Sequence, residues 1–349
     1  MLSFYPGPSK VHPEALEFIQ EAFDQGIVSI NHRSARFEAL LKDTLEVLHA
    51  KWNIPANYTI YFVSSATEAW EIVAQSLIEK QSLHLYNGAF GKKWAHYTQQ
   101  IYPQAQAIAF DAQASLSSVE LPSLAEIDTI CLVQSETSNG TGQTISRSHY
   151  GESLIAVDAT SSMGGIELPW EEADVWLASV QKCLGIPAGL GIMICSPKAL
   201  ARAEKLGRKS HYNDILLMEE NRKRFQTHYT PNVLSIYVLN RLTHLLPNLS
   251  VIDAQTRKKM EIWEDFWHTN SAWGLECLIR NPNLRLPTVL ALQGDPKQIQ
   301  LIQQTCLAAG IELGKGYGDW QANTVRIANF PSHTENDIHT LIKLLKHEL

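Results

Sequence analysis

Short apolar runs alternate with amphipathic helical patterns over residues 59–197. Several runs are apolar on both sides of the pleat, which is typical of strands in a sheet that helices cover on both faces. Between the first two runs, apolar residues recur at helical spacing and predict a helix over 66–80. The predicted strands are 59–63, 83–86, 107–110, 129–133, 154–158, 175–179 and 191–195. This alternation predicts a doubly wound, mostly parallel α/β sheet.

The last third of the chain has a different pattern. Two helices are predicted first, followed by a strand, a helix, a strand and a final helix. These elements are 231–248, 252–268, 287–292, 297–309, 324–329 and a helix from 335. They indicate a smaller second α/β domain, and a chain of 349 residues is long enough for two domains. We expect a large domain over 15–250 and a small domain formed by 1–14 and 251–349.

Composition and charge narrow the class of protein. Lys plus Arg number 29 and Asp plus Glu number 36, so the net charge is −7. A nucleic-acid-binding surface needs excess cation, and this balance argues against one. The N-terminus has no basic start before an apolar run, and the apolar stretch 185–195 is short and broken by Pro and Gly. We therefore expect a cytoplasmic protein without a membrane segment. The five cysteines form no CxxC pair, so neither disulfides nor a metal site is expected.

Asp158 and Lys182 are the residues with the clearest candidate chemistry. Asp158 ends one predicted strand and Lys182 follows the next, so both should face the crevice at the carboxyl edge of the sheet. A lysine among apolar neighbours is poorly solvated, which favours the neutral amine that binds an aldehyde as a Schiff base. A nearby carboxylate would keep the ring nitrogen of pyridoxal phosphate protonated. The alternative is that Asp158 caps a turn and Lys182 lies on the surface.

Two further segments could contact such a cofactor. The sequence Ser-Ser-Ala-Thr at 64–67 joins the first strand to its helix, and free N–H groups at a helix start favour a phosphate. Alternatively, Ser64 or Ser65 caps the helix, with Glu68 in its first turn. Phe90 could stack on an aromatic ring, or it could be an ordinary core residue.

The order of motifs along nearly the whole chain resembles the class V aminotransferases of pyridoxal-phosphate fold-type I. The resemblance is greatest to the phosphoserine aminotransferase branch of that family. It is carried by PGPS, NHRSARF, SSAT, NGAFGKKW, QSETSNG, VDATSSMGG, ASVQKCLGIPAGLG, YTPN and VRIANF. It implies pyridoxal 5'-phosphate as cofactor, an amino acid and a 2-oxo acid as substrates, and a homodimer with shared active sites. The implied reaction is phosphoserine:2-oxoglutarate transamination in serine biosynthesis.

The resemblance also implies which residues surround the cofactor. Lys182 would form the Schiff base and Asp158 would pair with the pyridine nitrogen. Phe90, where the family usually has tryptophan, would cover the ring. The other implied cofactor contacts are Ser65, Ala66 and Thr67 as a phosphate cradle, Gln181 as a further phosphate ligand, and Thr137 at the ring's hydroxyl side.

Four residues match family positions at the substrate end or the neighbouring subunit. Thr230 matches a residue that reaches the neighbour's cofactor phosphate. His32 and Arg33 match the pair that grips the substrate phosphate from the neighbouring subunit. Arg326 matches the arginine that clamps the substrate α-carboxylate, a task that suits a planar bidentate donor.

Two departures from the family pattern concern the substrate. The second His-Arg pair that precedes the carboxylate-binding arginine is absent, since 316–320 has the sequence Gly-Tyr-Gly-Asp-Trp, and Tyr229 replaces the usual asparagine. The missing pair favours an alanine- or serine-glyoxylate-type aminotransferase as the alternative. A lyase such as a cysteine desulfurase would need a mobile cysteine near Arg326, and the nearest, Cys306, lies in a helical pattern. A non-catalytic member would not be expected to retain both Asp158 and Lys182.

Overall fold

The computed structural model of the chain describes residues 1–208, 211–270 and 273–348. The strands are β1 (Leu2–Phe4), β2 (Thr59–Val63), β3 (Ser82–Tyr86), β4 (Gln106–Ala109), β5 (Thr129–Val133), β6 (Ser135–Glu136), β7 (Thr141–Gly142), β8 (Leu154–Asp158), β9 (Val175–Ser179), β10 (Gly191–Cys195), β11 (Glu276–Cys277), β12 (Val289–Gln293), β13 (Ile311–Lys315) and β14 (Thr324–Ala328). The helices are α1 (Ala15–Asp24), α2 (Ala35–Trp52), α3 (Ala66–Leu77), α4 (Ala89–Ile101), α5 (Pro197–Leu206), α6 (Ile215–Arg222), α7 (Val233–Leu245), α8 (Leu249–Thr269), α9 (Pro296–Ala308) and α10 (Glu335–Glu348).

The larger sheet contains all seven strands that the sequence predicts between 59 and 195. Within the described ranges its order is β2-β10-β9-β8-β5-β3-β4. β10 runs antiparallel to both of its neighbours, and the other pairs are parallel. The carboxyl ends of β5, β8 and β9 therefore meet at one edge of the sheet, where ligands bind in folds of this kind.

Helices cover both faces of this sheet. On β2, Ile60 and Phe62 pack in the cluster that includes residues of α2 and α7, whereas Tyr61 and Val63 pack in the cluster that includes α3. This alternation follows the two-residue period of a strand. Both faces are therefore apolar, and the predicted doubly wound α/β architecture is confirmed.

The smaller sheet has the order β1-β13-β14-β12-β11 in the described part of the chain. β1 pairs in parallel with β13, and the remaining pairs are antiparallel. A cluster that includes Trp263, Ile302 and Leu341 packs α8, α9 and α10 against it. The N-terminal strand thus joins a sheet that the C-terminal third builds. The domain limits 15–250 and 1–14 with 251–349 stay a prediction.

The helix predicted over 66–80 ends earlier, at Leu77 of α3. The carboxylate of Asp128 accepts hydrogen bonds from the backbone N–H groups of Glu79, Lys80 and Gln81. These bonds hold the backbone after α3 in a turn, and a contact across some fifty positions gives no local signal in the sequence. Among the described residues, no helix combines the length and the apolar character needed to cross a bilayer.

Candidate active site

A cavity of about 180 Å³ lies at the carboxyl edge of the larger sheet. Asp158 at the end of β8, Lys182 after β9 and Thr137 after β6 line it, and Arg326 lines it from β14 of the small sheet. The N-terminal segment also reaches the cavity, because Tyr5, Pro6, Gly7 and Pro8 form part of its wall. The structure therefore brings both predicted catalytic residues into the wall of one cavity.

Lys182 follows β9 by three residues and is 6% exposed. Its Nζ donates to Thr137 Oγ1 at 2.5 Å and to Ser161 Oγ at 3.0 Å. Gly7, with φ +148°, lies so close that a Cβ there would be 3.0 Å from Lys182 Cε. Burial lowers the pKa of Lys182 to about 8, although the carboxylates of Asp158 and Glu136 act in the opposite direction. The lysine is thus buried, oriented by two hydroxyls and easily deprotonated.

Asp158 ends β8 and is held by donors on both oxygens. Trp70 Nε1 donates to Oδ2 at 2.9 Å, and the Thr160 N–H donates to Oδ1 at 2.8 Å. Burial raises the pKa of this carboxyl, while the hydrogen bonds from Thr160, the charge of Lys182 and the bond from Trp70 lower it. The side chain is fixed towards the cavity and does not cap a surface turn.

Arg326 lies on β14 with its guanidinium almost fully buried. Its Nε donates to the Lys315 carbonyl and its Nη1 to the Thr137 carbonyl, both at 2.8 Å. Burial lowers the pKa of Arg326, and the nearby Tyr5 and Glu136 act against that. Two carbonyls thus anchor the guanidinium while it lines the cavity, as an arginine that binds a carboxylate requires.

Phe90 lies in the first turn of α4, beside Lys182. The Lys182 Nζ is 5.0 Å from the centre of the Phe90 ring. The Tyr317 ring stacks on Phe90 with centroids 5.2 Å apart and planes at 8°, and the Arg326 Cζ lies 5.6 Å from the Tyr317 centroid. Tyr317 occupies the stretch in which the family's second His-Arg pair is missing, so an aromatic wall stands where the pattern would place cations.

The predicted phosphate cradle lies at the start of α3. Ser65 is the N-cap, and its hydroxyl accepts from the Glu68 N–H at 3.1 Å. The Ala66 N–H donates to Ser179 Oγ at 2.7 Å. Ala66 and Thr67 line the cavity, as does Gln181. The segment therefore caps the helix and also places two of its three residues in the cavity wall.

His32, Arg33 and Thr230 are not among the residues that line the cavity in the described part of this single chain. The Arg33 Nη1 donates to Asn221 Oδ1 and to Gln226 Oε1, each at 2.7 Å. Thr230 is exposed. The assignment of these three residues to a neighbouring subunit's site stays a prediction.

Sequence reasoning missed several residues of this site. Trp70 and Ser161 bond directly to Asp158 and Lys182, Tyr317 stacks on Phe90, and Glu136 lies behind the start of α4. Trp70 follows the cradle by three positions, which is one turn of α3, so helical spacing could have pointed to it. Ser161 lies in the motif VDATSSMGG and Glu136 in QSETSNG, but their contacts depend on tertiary structure.

The residues of the cavity fit pyridoxal phosphate. The amine of Lys182, the carboxylate of Asp158 and the ring of Phe90 line one cavity, and Ala66 and Thr67 at the start of α3 line it as well. An amine, a carboxylate, an aromatic ring and a helix N-terminus are the groups that bind its aldehyde, ring nitrogen, ring face and phosphate.

Fold and site together define a pyridoxal-phosphate-dependent transferase of fold-type I. The sequence model of the family described as Aminotransferase class-V matches residues 2–339. The chain belongs to this family, and the predicted cofactor and enzyme class are confirmed.

Individual relatives extend this comparison over the whole chain. A protein named phosphoserine aminotransferase from Rhodococcus opacus is 28% identical over 346 residues, which cover 97% of this chain and 92% of the relative. The crystal structure of a phosphoserine aminotransferase from Cytophaga hutchinsonii matches with a TM-score of 0.92 and 29% identity, over 100% of this chain and 99% of that one. An alanine–glyoxylate aminotransferase from Nostoc shares the fold, with a TM-score of 0.80 at 22% identity over 99% of this chain and 94% of that one.

Proposed function

We propose that this aminotransferase moves the amino group of phosphoserine to a 2-oxo acid, 2-oxoglutarate, in serine biosynthesis. The observation that carries the proposal is the joint placement of Lys182, Asp158 and Arg326 around one cavity. Relatives that bear the name phosphoserine aminotransferase match over nearly their full length, which supports this substrate. An enzyme of this biosynthetic route would act in the cytoplasm, and we propose that location for this chain.

Each residue of the site has a task in this reaction. When bound, pyridoxal phosphate supplies an aldehyde that condenses with amines and a ring that accepts electrons from the reacting carbon. The Lys182 Nζ binds the aldehyde and carries the proton that moves during transfer. The hydroxyls of Thr137 and Ser161 orient that nitrogen. With the cofactor bound, Asp158 would hold the proton on the ring nitrogen and Phe90 would cover the ring.

Further cofactor contacts follow from the lining of the cavity. We propose that the segment Ser65, Ala66 and Thr67 and the side chain of Gln181 bind the cofactor phosphate, in part through the N–H groups at the start of α3. Thr137, which also lines the cavity, would contact the hydroxyl side of the ring.

The substrate end depends on Arg326 and on a second subunit. Arg326 binds the α-carboxylate that every amino-acid substrate carries. Because His32, Arg33 and Thr230 are not in the wall of this chain's own cavity, we propose that they complete the site of the partner in a homodimer. His32 and Arg33 then grip the distal phosphate of the substrate, and Thr230 contacts the cofactor phosphate.

Shared sites predict complementation between inactive variants. A Lys182→Ala protomer lacks the amine but keeps Arg33, and an Arg33→Ala protomer has the reverse defect. After subunit exchange, each mixed dimer contains one complete site, so phosphoserine transamination should recover to about a quarter of wild-type activity, since about half of the dimers are mixed. The measurement is steady-state activity after exchange, with mass spectrometry of intact dimers to confirm mixing.

The matched control for this experiment is a mixture of Lys182→Ala with Lys182→Ala/Arg33→Ala. Mixed dimers then have no complete site and should stay inactive. Confirmed exchange without recovered activity in the first mixture would show that Arg33 serves its own subunit.

Substrate preference provides a second test. Arg33→Ala should lower phosphoserine turnover at least about tenfold, because one hydrogen bond to a charged group contributes roughly 1.5–3 kcal/mol. The same variant should leave turnover of alanine and serine nearly unchanged, since neither has a phosphate. The measurement is kcat/KM for phosphoserine, serine and alanine with 2-oxoglutarate or glyoxylate as acceptor.

Arg326→Lys is the comparison variant, because it should lower kcat/KM for all three amino acids together. If the wild-type protein prefers alanine or serine to phosphoserine, the proposed substrate is wrong and the glyoxylate-type alternative is favoured. The aromatic wall formed by Tyr317, in place of the His-Arg pair, is the observation on which that alternative rests.

A cysteine lyase has less support. Cys306 is buried inside α9 and is not among the described residues that line the cavity. Cys183 follows Lys182, but burial raises the pKa of its thiol to about 12, and its Sγ donates to the Ser161 carbonyl. Because the thiolate is the reactive form, neither residue suits a nucleophile in this site.

A further inference from the structure

Glu136 is a fully buried carboxylate directly behind the cavity. It ends β6, and its oxygens accept hydrogen bonds from the N–H groups of Phe90 at 3.2 Å and Gly91 at 3.1 Å. Ser138 adds two more, from its N–H at 3.0 Å and its hydroxyl at 2.5 Å. The first N–H groups of a helix have no partner within the helix. Glu136 therefore supplies acceptors for the first turn of α4, which carries Phe90.

The packing leaves room for this carboxylate and for little else. A Cβ on Gly88, the N-cap of α4, would lie 2.2 Å from Glu136 Cγ and 2.7 Å from Ser138 Oγ. The Ser138 hydroxyl accepts from the Ala89 N–H at 3.0 Å, so its own proton is free to point to Glu136. The carboxylate is thus fitted against the start of the helix.

The ionised form of Glu136 fits this arrangement. Burial raises the pKa of the Glu136 carboxyl, and the hydrogen bonds from Ser138, Gly91 and Phe90 offset part of that rise. The backbone N–H groups of Phe90, Gly91 and Ser138 can only donate, so these bonds need the carboxyl oxygens as acceptors. A carboxylate that accepts several N–H bonds is stabilised in its charged form.

Glu136 is also linked to the reacting lysine. The next residue, Thr137, accepts a hydrogen bond from Lys182 Nζ on its hydroxyl and one from Arg326 on its carbonyl. The titratable groups that act on Lys182 are Asp158, Glu136, Arg326 and Cys183. Two of these groups are carboxylates, Asp158 and Glu136. Asp158 lines the cavity, whereas Glu136 is not among the described residues that line it.

We propose that Glu136 is a positioning residue of this enzyme: its carboxylate fixes Phe90 over the cofactor ring and its negative charge stabilises the protonated state of the nitrogen that Lys182 contributes. This inference rests on the proposed role of Lys182. It does not depend on which amino acid is the donor.

The test is Glu136→Gln in the cofactor-loaded protein. An amide turns one acceptor into a donor that faces backbone N–H groups, so the first turn of α4 should shift and the dissociation constant of the cofactor should rise about tenfold. Loss of the negative charge should also move the pH midpoint of the visible absorption band downward by about 0.5 unit or more. A structural disturbance alone would not move that midpoint in a defined direction.

Two variants serve as controls. Glu46→Gln makes the same substitution at an exposed position in α2, where Glu46 pairs with Lys42 at 3.9 Å. This variant should change neither the dissociation constant of the cofactor nor the pH midpoint. Ser138→Ala removes a hydrogen bond to Glu136 but keeps the charge, so it should weaken cofactor binding without lowering the midpoint.

A folded Glu136→Gln protein with an unmoved midpoint contradicts the proposal, even if its affinity for the cofactor falls. Should that variant not fold, Glu136→Asp keeps the charge on a shorter arm. It should retain the wild-type midpoint and bind the cofactor more weakly, and wild-type affinity would overturn the proposal. The dissociation constant and the pH midpoint are both measured without substrate, so their outcome does not depend on whether phosphoserine is the substrate. Peptide mapping after borohydride reduction tests Lys182 separately.

Discussion

Lys182→Ala protein should fold and transfer no measurable amino group. The Lys182 Nζ contacts the hydroxyls of Thr137 and Ser161 inside the cavity and contributes little to the packing of the sheet. Its loss removes the amine that binds the cofactor and moves the proton, a step for which no other side chain substitutes. We expect activity to fall by about four orders of magnitude or more. The unfolding temperature should change little, since one buried amine and its desolvation cost disappear together.

Borohydride reduction of the wild-type protein checks the same assignment directly. Reduction should attach the cofactor to Lys182, and peptide mapping by mass spectrometry identifies the labelled residue. Lys259 is a matched internal control, because burial lowers its pKa to about 8 as well. Its Nζ donates to the carbonyls of Phe330 and His333, at 2.9 and 2.7 Å, and it does not line the cavity. A label on Lys259 would show that low pKa, rather than place in the fold, selects the lysine.

The pH dependence of cofactor binding follows from the burial of Lys182. In the cofactor-free protein the amine of Lys182 is neutral above a pKa of about 8, whereas an exposed lysine needs a much higher pH. Rebinding of the cofactor should therefore accelerate as pH rises from 7 to 9.

The strands of the larger sheet could be predicted because their burial appears in the local pattern. β5, β8, β9 and β10 are buried at every position, and each contains a run of four consecutive apolar residues. Asp158 and Lys182 could be found for a related reason, since both follow such runs and the carboxyl ends of parallel strands meet. The two strands concerned, β8 and β9, follow each other in the chain and are neighbours in the sheet.

Other parts of the fold have no comparable local signal. β1 has three residues and is a strand because it pairs with β13, more than 300 positions away. Its sequence, Leu-Ser-Phe, gives too short a pattern to distinguish a strand from a loop. The early end of α3 likewise depends on Asp128, which belongs to a distant loop. Tertiary contacts decide both cases.

The residues that hold the candidate catalytic groups in place could not be predicted for the same reason. Motif resemblance singles out groups expected to touch the cofactor, whereas Trp70 and Ser161 hydrogen-bond to Asp158 and Lys182, and Glu136 accepts from the start of α4. Ser65 illustrates a further limit: the residue has one hydroxyl, and the structure uses it to cap α3. His32, Arg33 and Thr230 need a second chain to acquire a role.

Asp158 has a task that depends on charge and not on shape. Its oxygens already accept from Trp70 Nε1 and from the Thr160 N–H, so its position is set before any ligand arrives. An amide of the same size has a single oxygen, so it could accept one of these two bonds and would place its NH2 group against the other donor. A carboxylate alone stabilises a proton on the ring nitrogen, and that proton makes the ring an effective acceptor of electrons.

Asp158→Asn should therefore bind the cofactor and turn over slowly. We expect kcat to fall by at least about a hundredfold, since loss of a charge that acts in the transition state costs several kcal/mol and each ~1.4 kcal/mol is tenfold in rate. Trp70→Phe is the graded comparison, because it keeps the carboxylate and removes one donor to it. Its kcat should fall about tenfold or less, the effect of a single hydrogen bond to a charged group. Visible absorbance on adding the cofactor confirms loading, and single-turnover kinetics with phosphoserine measures the step. An Asp158→Asn protein that is loaded and as fast as Trp70→Phe would mean that the charge of Asp158 does not assist the reaction, whereas a clear gap between the two variants separates the effect of charge from that of position.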